Sequence, residues 1–375
     1  MTAPSRPNAT AAPAKRGDLR PLRRVPLLIL GFAGLVIGTG AGLARLGWSV
    51  PAAVAATAAL HGPLMICGFF GVVIALERAV AIGRHWAYFG PLLAGAGGVA
   101  AVAGAASIAA WFFVAGSLVL FAASVDIFRR QTALFTFTLA LGAACWSVGN
   151  ALWAAGSTVH EVVPWWFAFL ILTIAGERLE LSRFLAPSRV AKWTFAAIIV
   201  VIGAGLLGAS LRWGAQVFAI GLLALAAWLL KQDIARRTIR NRGLTRFIAV
   251  CLLSGYAWLA VGGGVILAAG GLWPGARSYD AALHALGLGF VFSMVFGHAP
   301  IIFPAVLRIA VPYRPTFYLP LVLLHLSLLV RLAGDASGQF AWTRVGGLLN
   351  ALALAAFIVS TASAALRGKR SASVR

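Results

Sequence analysis

The sequence predicts an all-α, polytopic membrane protein of about twelve transmembrane helices. Composition, the length of the apolar runs and the placement of the basic residues all point to it. Of 375 residues, 61% are hydrophobic and only 11% are charged, and the mean hydropathy is +0.92. Soluble domains carry about 25% charged residues, so this chain has too few to cover its own surface in water. A soluble enzyme and a disordered chain are both excluded. An apolar run of about 20 residues crosses a hydrocarbon core of roughly 30 Å, and in lipid it must be helical to satisfy its own backbone.

The elements follow in order. Residues 1–25 read as a disordered basic cytoplasmic tail, with six Lys and Arg and no cleavable hydrophobic segment. Residues 26–366 read as one twelve-helix domain. The first span, 26–44, ends at Arg45, and the second, 52–76, returns to Arg78 and Arg84. Spans 87–106 and 109–127 close on Arg129 and Arg130. Spans 133–155 and 162–181 turn at His160 and Glu161 and lead to Arg178, Arg183, Arg189 and Lys192. Spans 194–211 and 213–230 are separated only by Arg212-Trp213-Gly214, and six basic residues follow between Lys231 and Arg246. Spans 247–270 and 279–300 turn at Arg277 and lead to Arg308 and Arg314. Spans 316–333 and 342–366 turn near Arg331 and Arg344, ahead of a basic cytoplasmic tail at 367–375.

With the N-terminus inside, 26 of the 31 Lys and Arg residues fall on the cytoplasmic side, and five (Arg45, Arg212, Arg277, Arg331 and Arg344) fall outside. That is the positive-inside pattern. It predicts a multi-pass protein of the inner (plasma) membrane with both termini cytoplasmic and the lipid bilayer as its partner. The net charge of +22 is thereby an insertion signal, and no nucleic-acid partner is expected.

Cys67, Cys145 and Cys251 stand singly in apolar spans, with no CxxC, and read as small buried hydrophobes. Two segments echo each other. Ala58-Ala59-Leu60-His61 opens helix 2 ahead of Gly68-Phe69, and Ala281-Ala282-Leu283-His284 opens helix 10 ahead of Gly289-Phe290. Glu77-Arg78 and Glu177-Arg178 end helices 2 and 6 in the same way.

Ionisable groups inside a bilayer are costly and mark sites by default. Four histidines, His61, His284, His298 and His325, are embedded in apolar sequence. His61 and His284 lie roughly 13 and 8 Å into helices that run in the same direction, so both belong to the outer half. If helices 2 and 10 pack side by side, their imidazoles can ligate one haem b from its two faces. Arg45 and Arg277 lie where its propionates would emerge, with Arg277 the reasonable propionate partner or else an interfacial anchor. His298 and His325 are candidates for a second metal or haem site, a proton path, or simple hydrogen bonds to neighbouring carbonyls. Glu77, Glu177 and Glu180 read as ion pairs with Arg78, Arg178 and Arg183 at the membrane border, with a proton-relay carboxylate as the alternative. Asp280 reads as a cap of helix 10 or a group that orients His284.

Twelve helices with histidines on helices 2 and 10 resemble subunit I of the haem–copper oxidases. The chain is more similar to the NnrS-like family, twelve-helix haem and copper membrane proteins linked to nitric oxide stress. The resemblance rests on His61 with Gly68-Phe69, on His284-Ala285-Leu286, and on a looser echo in Val295-Phe296-Gly297-His298-Ala299-Pro300. It implies a haem–copper-oxidase-subunit-I-like bundle, haem b, copper as a further metal, and a role in nitric oxide or redox stress or in electron transfer with an electron donor as partner. Residues 282 and 286 are Ala and Leu, and helices 6 and 7 carry no histidine, so the oxygen-reducing centre of an oxidase is not expected. The rival readings are a proton-coupled secondary transporter, with twelve spans and a Pro-broken helix 10, and a membrane assembly or scaffold protein without cofactor.

Overall fold

The computed structural model describes residues 17–182, 188–208, 211 and 213–373. Most of the tail expected at 1–25 therefore lies outside the described residues, as do Arg183, Arg212 and the last two residues. The described residues contain helices and no strand. We label the main helices α1 (Pro21–Arg45), α2 (Ala58–Ile82), α3 (Phe89–Val102), α4 (Ala106–Arg130), α5 (Leu134–Ala154), α6 (Val159–Ser182), α7 (Arg189–Leu207), α8 (Gly214–Gln232), α9 (Gly243–Ala268), α10 (Arg277–Leu307), α11 (Pro315–Ser337) and α12 (Phe340–Ser373).

Eleven of these are long and apolar enough to cross a membrane. The exception is α3, whose 14 residues reach only about 21 Å at 1.5 Å per residue. A 3₁₀ turn at His85–Tyr88 and a left-handed Gly104 (φ +82°) cut short the run expected at 87–106. Two other boundaries also differ. α1 begins at Pro21, whose missing N–H costs nothing in the first turn. α10 does not stop at Pro300 but runs through it and Pro304 to Leu307, where Arg308 takes a left-handed conformation. Its end is held from α1: Arg24, almost fully buried, donates to the Val306 carbonyl at 2.6 Å and pairs with Asp18 at 2.7 Å. An open helix-end carbonyl thus gains the donor it lacks.

Most consecutive helices pack against one another, most extensively α5 on α6 and α11 on α12, whereas α6 and α7 barely touch. α1 and α2 meet backbone to backbone, because a Cβ on Gly34 would sit 2.9 Å from the Gly68 carbonyl carbon. Asn150 is the polar hub of the core: its Oδ1 accepts from Trp166 Nε1 at 2.9 Å and Cys67 Sγ at 3.3 Å, and its Nδ2 donates to the Phe113 carbonyl at 3.1 Å. All three cysteines are free and buried, as expected. Outside, Ile29, Val36, Trp111, Val200 and Leu207 are exposed, an apolar surface suited to lipid.

Candidate functional site between helices 2 and 10

The two echoed segments share an unusual local structure. Just after His61, α2 is wound as a π-helix over Leu64–Phe70, and just after His284, α10 is wound as a π-helix over Ala285–Phe292. A π-turn widens the helix and turns the residues before it relative to those after, and such turns are frequent at functional sites. Both π-stretches contain the Gly-Phe of the echo. What looked like a sequence coincidence therefore has a structural counterpart at each histidine.

The two imidazoles lie near one another, nearly parallel. Their ring centres are 6.2 Å apart and their planes differ by 15°, too far for van der Waals stacking. Each ring is fixed through Nδ1. His61 Nδ1 lies 2.7 Å from the Gly38 carbonyl oxygen, and His284 Nδ1 lies 2.8 Å from that of Asp280. A carbonyl only accepts, so Nδ1 carries the proton and Nε2 keeps its lone pair. Gly42 of α1 lets the His61 ring lie close, since a Cβ there would fall 2.9 Å from Nδ1 and Cε1.

Both histidines line a cavity of about 300 Å³, at the lower end of pocket volumes for drug-sized ligands, roughly 300–1,000 Å³. α1, α2, α6, α10, α11 and α12 all contribute walls. Arg45, Tyr279, Asp280, Arg331 and Asn350 supply its polar lining. Asp280 and Arg331 form a two-pronged pair at 2.7 and 2.8 Å, and the Asp280 carboxylate also lies 3.3 Å from His284 Nδ1. Asp280 therefore orients His284, one of the two roles its sequence position suggested. Arg331 and Asn350 were not among the site residues expected from sequence. The usable signal for Arg331 was an opposite charge to Asp280 inside the next apolar span.

The chain belongs to the DUF8744 family. Its family model, described as a domain of unknown function (DUF8744), matches residues 24–366, which includes every helix that walls the cavity. No curated protein and no solved structure matches the chain at a significant level.

In this DUF8744 chain the remaining expected site residues are placed as follows. Arg45 lines the cavity beside His61. Arg277 is exposed, is not among the lining residues, and rests its guanidinium against Gly338. His298 donates through Nδ1 to the Met294 carbonyl at 2.7 Å and lines a second, smaller cavity. His325 lines neither cavity. Its Nδ1 accepts from Trp258 Nε1 at 3.0 Å, and its Nε2 is buried without a partner. His298 and His325 are thus not brought together at one cavity. Among the described residues no three His, Cys, Asp or Glu side chains converge as metal ligands. The expected ion pairs of Glu77 with Arg78 and of Glu177 with Arg178 do not form within 4.0 Å. Arg178 turns instead toward Asp233, at 4.0 Å, which also accepts from the Tyr256 hydroxyl.

Proposed function

We propose that this chain is a membrane haem protein holding one b-type haem between His61 and His284, with a role in one-electron transfer or redox defence of the kind its resemblance to the NnrS-like family implies. The observation that carries the reading is the paired imidazole geometry. Two imidazoles bound to one metal ion through bonds of about 2.0–2.1 Å place their ring centres about 6–6.5 Å apart. Their ring centres lie 6.2 Å apart, nearly parallel, and each Nδ1 is held by a carbonyl, which leaves Nε2 as the nitrogen to bind a metal.

Haem b supplies reversible one-electron chemistry when bound, and its potential follows axial ligation, hydrogen bonding and burial. The protein's part is positional. The Gly38 and Asp280 carbonyls fix both tautomers, and hydrogen bonds of this kind raise the basicity of a ligating imidazole. Arg45 lies on the cavity wall, where a guanidinium pairs with a propionate. Arg331 neutralises Asp280, so that carboxylate does not repel an acidic ligand. Were both histidines to bind the iron, a haem held there would be suited to electron transfer more than to binding a gas. For that function the chain needs an electron donor, as the sequence reading supposed.

The test is a visible spectrum of the purified protein, oxidised and dithionite-reduced. A Soret band lost in both His61→Ala and His284→Ala supports the reading, and a colourless protein from haem-replete cells overturns it.

A further inference from the structure

Below the histidine cavity lies a second one, of about 100 Å³. Phe70, Leu170, Phe292 and Leu354 line both, and the Phe70 and Phe292 rings, 5.1 Å apart, form the partition. The lower cavity is walled almost entirely by apolar side chains, yet three titratable groups from three helices face it: Glu77 of α2, Glu177 of α6 and His298 of α10. Thr173 of α6 adds a hydroxyl, while α1 and α12 contribute only apolar groups. The charged residues next to these along the chain are Arg78 on α2, and Arg178 and Glu180 on α6.

A carboxylate facing an apolar cavity must be compensated by a cationic side chain, by a metal or by a proton, because an isolated anion there is too costly. No close ion pair does so: neither glutamate has one within 4.0 Å among the described residues, Arg78 acts on both only from a longer distance, and Arg178 is turned to Asp233. The three groups do not converge as metal ligands. The cavity has room for a few waters, since one water needs about 10–15 Å³ of this kind of volume. His298 keeps Nδ1 on the Met294 carbonyl, so its Nε2 is the acceptor left on the cavity side.

We propose that the lower cavity is a proton-binding chamber, in which Glu77 and Glu177 hold one proton between them and His298 Nε2 is the neutral acceptor on the third wall. Two carboxylates in one apolar chamber favour sharing a proton over ionising together, and cavity water would carry it between walls. The ligand is a proton alone. No bond is made or broken except O–H or N–H, and no electron moves.

Dicyclohexylcarbodiimide tests this, because it partitions into apolar sites and reacts with protonated carboxyls. Full-length protein in mild detergent at neutral pH should gain one adduct per chain, mapped by peptide mass to Glu77 or Glu177, and reaction should fall away at alkaline pH. Glu77→Gln and Glu177→Gln should each leave the other carboxyl reactive, and the double variant should lose the adduct. The infrared band of a protonated carboxyl should disappear with it, on protein that keeps its elution profile. His61→Ala should label as the wild type does, so the outcome is read independently of haem. Absence of both adduct and infrared band in the wild-type protein at neutral pH would overturn the proposal.

Discussion

Asp280 of α10 and Arg331 of α11 lock together through two parallel hydrogen bonds, Nε to Oδ2 at 2.7 Å and Nη2 to Oδ1 at 2.8 Å, while the backbone carbonyl of the same Asp280 holds His284 Nδ1. One residue thus ties the ring of a candidate ligand to the neighbouring helix. Arg331 is buried and Asp280 is about one-third exposed, toward the cavity.

Removing one partner strands the other charge. Arg331→Ala should destabilise the protein by about 2–4 kcal/mol, a little below the 3–5 kcal/mol of a fully buried pair. Arg331→Lys should recover only part of this, since an ammonium cannot make the two-pronged contact. Thermal unfolding of both single variants and of the Arg331→Ala, Asp280→Ala double variant checks it. The double variant should cost clearly less than the sum of the singles.

Gly42 and Gly203 make a matched pair. A Cβ at Gly42 would press on the His61 ring at 2.9 Å, whereas one at Gly203 would meet nothing within 4 Å. Gly203→Ala should be neutral or stabilising by about 0.5–1 kcal/mol, the helical Gly-to-Ala difference. Gly42→Ala should instead displace His61 and lower the haem-to-protein ratio of the purified protein. Equal haem content in the two variants would contradict the close packing assigned to Gly42.

Asn150 satisfies Trp166, Cys67 and the Phe113 carbonyl at once. Asn150→Leu should cost about 2–3 kcal/mol, because a buried indole N–H and a backbone carbonyl lose their partners together. The midpoint of thermal unfolding should fall, with the far-ultraviolet helical signal intact below the transition.

Arg24 clamps the end of α10 through Val306, and its partner Asp18 also accepts from the Tyr88 hydroxyl at 2.5 Å. Arg24→Ala should destabilise by about 2–4 kcal/mol as a buried ion pair and a charged hydrogen bond are lost. Tyr88→Phe should cost less, about 0.5–1.5 kcal/mol for one hydrogen bond. An unchanged unfolding temperature in Arg24→Ala would show that the clamp is not needed.

Much of this architecture was legible in the sequence because a bilayer imposes length and apolarity directly. Eleven of the twelve expected spans appear as long apolar helices, and the pair split only by Arg212-Trp213-Gly214 is indeed two helices. α3 was overestimated because Ala and Gly extend an apolar run without extending a helix past Gly104. Depth reasoning brought His61 and His284 to a common level, and the structure holds their rings nearly parallel with centres 6.2 Å apart. The partners were harder to see. Arg24 and Arg331 read as loop charges by position alone, yet both are buried, because Arg24 reaches the distant Val306 carbonyl and Arg331 the distant Asp280 carboxylate. Glu77 and Glu177 read as half of local Glu-Arg pairs, yet they face a cavity that only the packing of α2, α6 and α10 creates. Adjacent residues on a helix point in different directions, so neighbours in sequence were a poor guide to pairing.

The most direct test of the central claim is the reduced-minus-oxidised visible spectrum of the wild-type, His61→Ala and His284→Ala proteins, purified in parallel from haem-replete cells. Two-histidine ligation predicts a Soret band and a sharp α-band in the wild type, with either substitution abolishing the two-histidine spectrum. A colourless wild-type protein, or a haem spectrum that both substitutions leave unchanged, would contradict it.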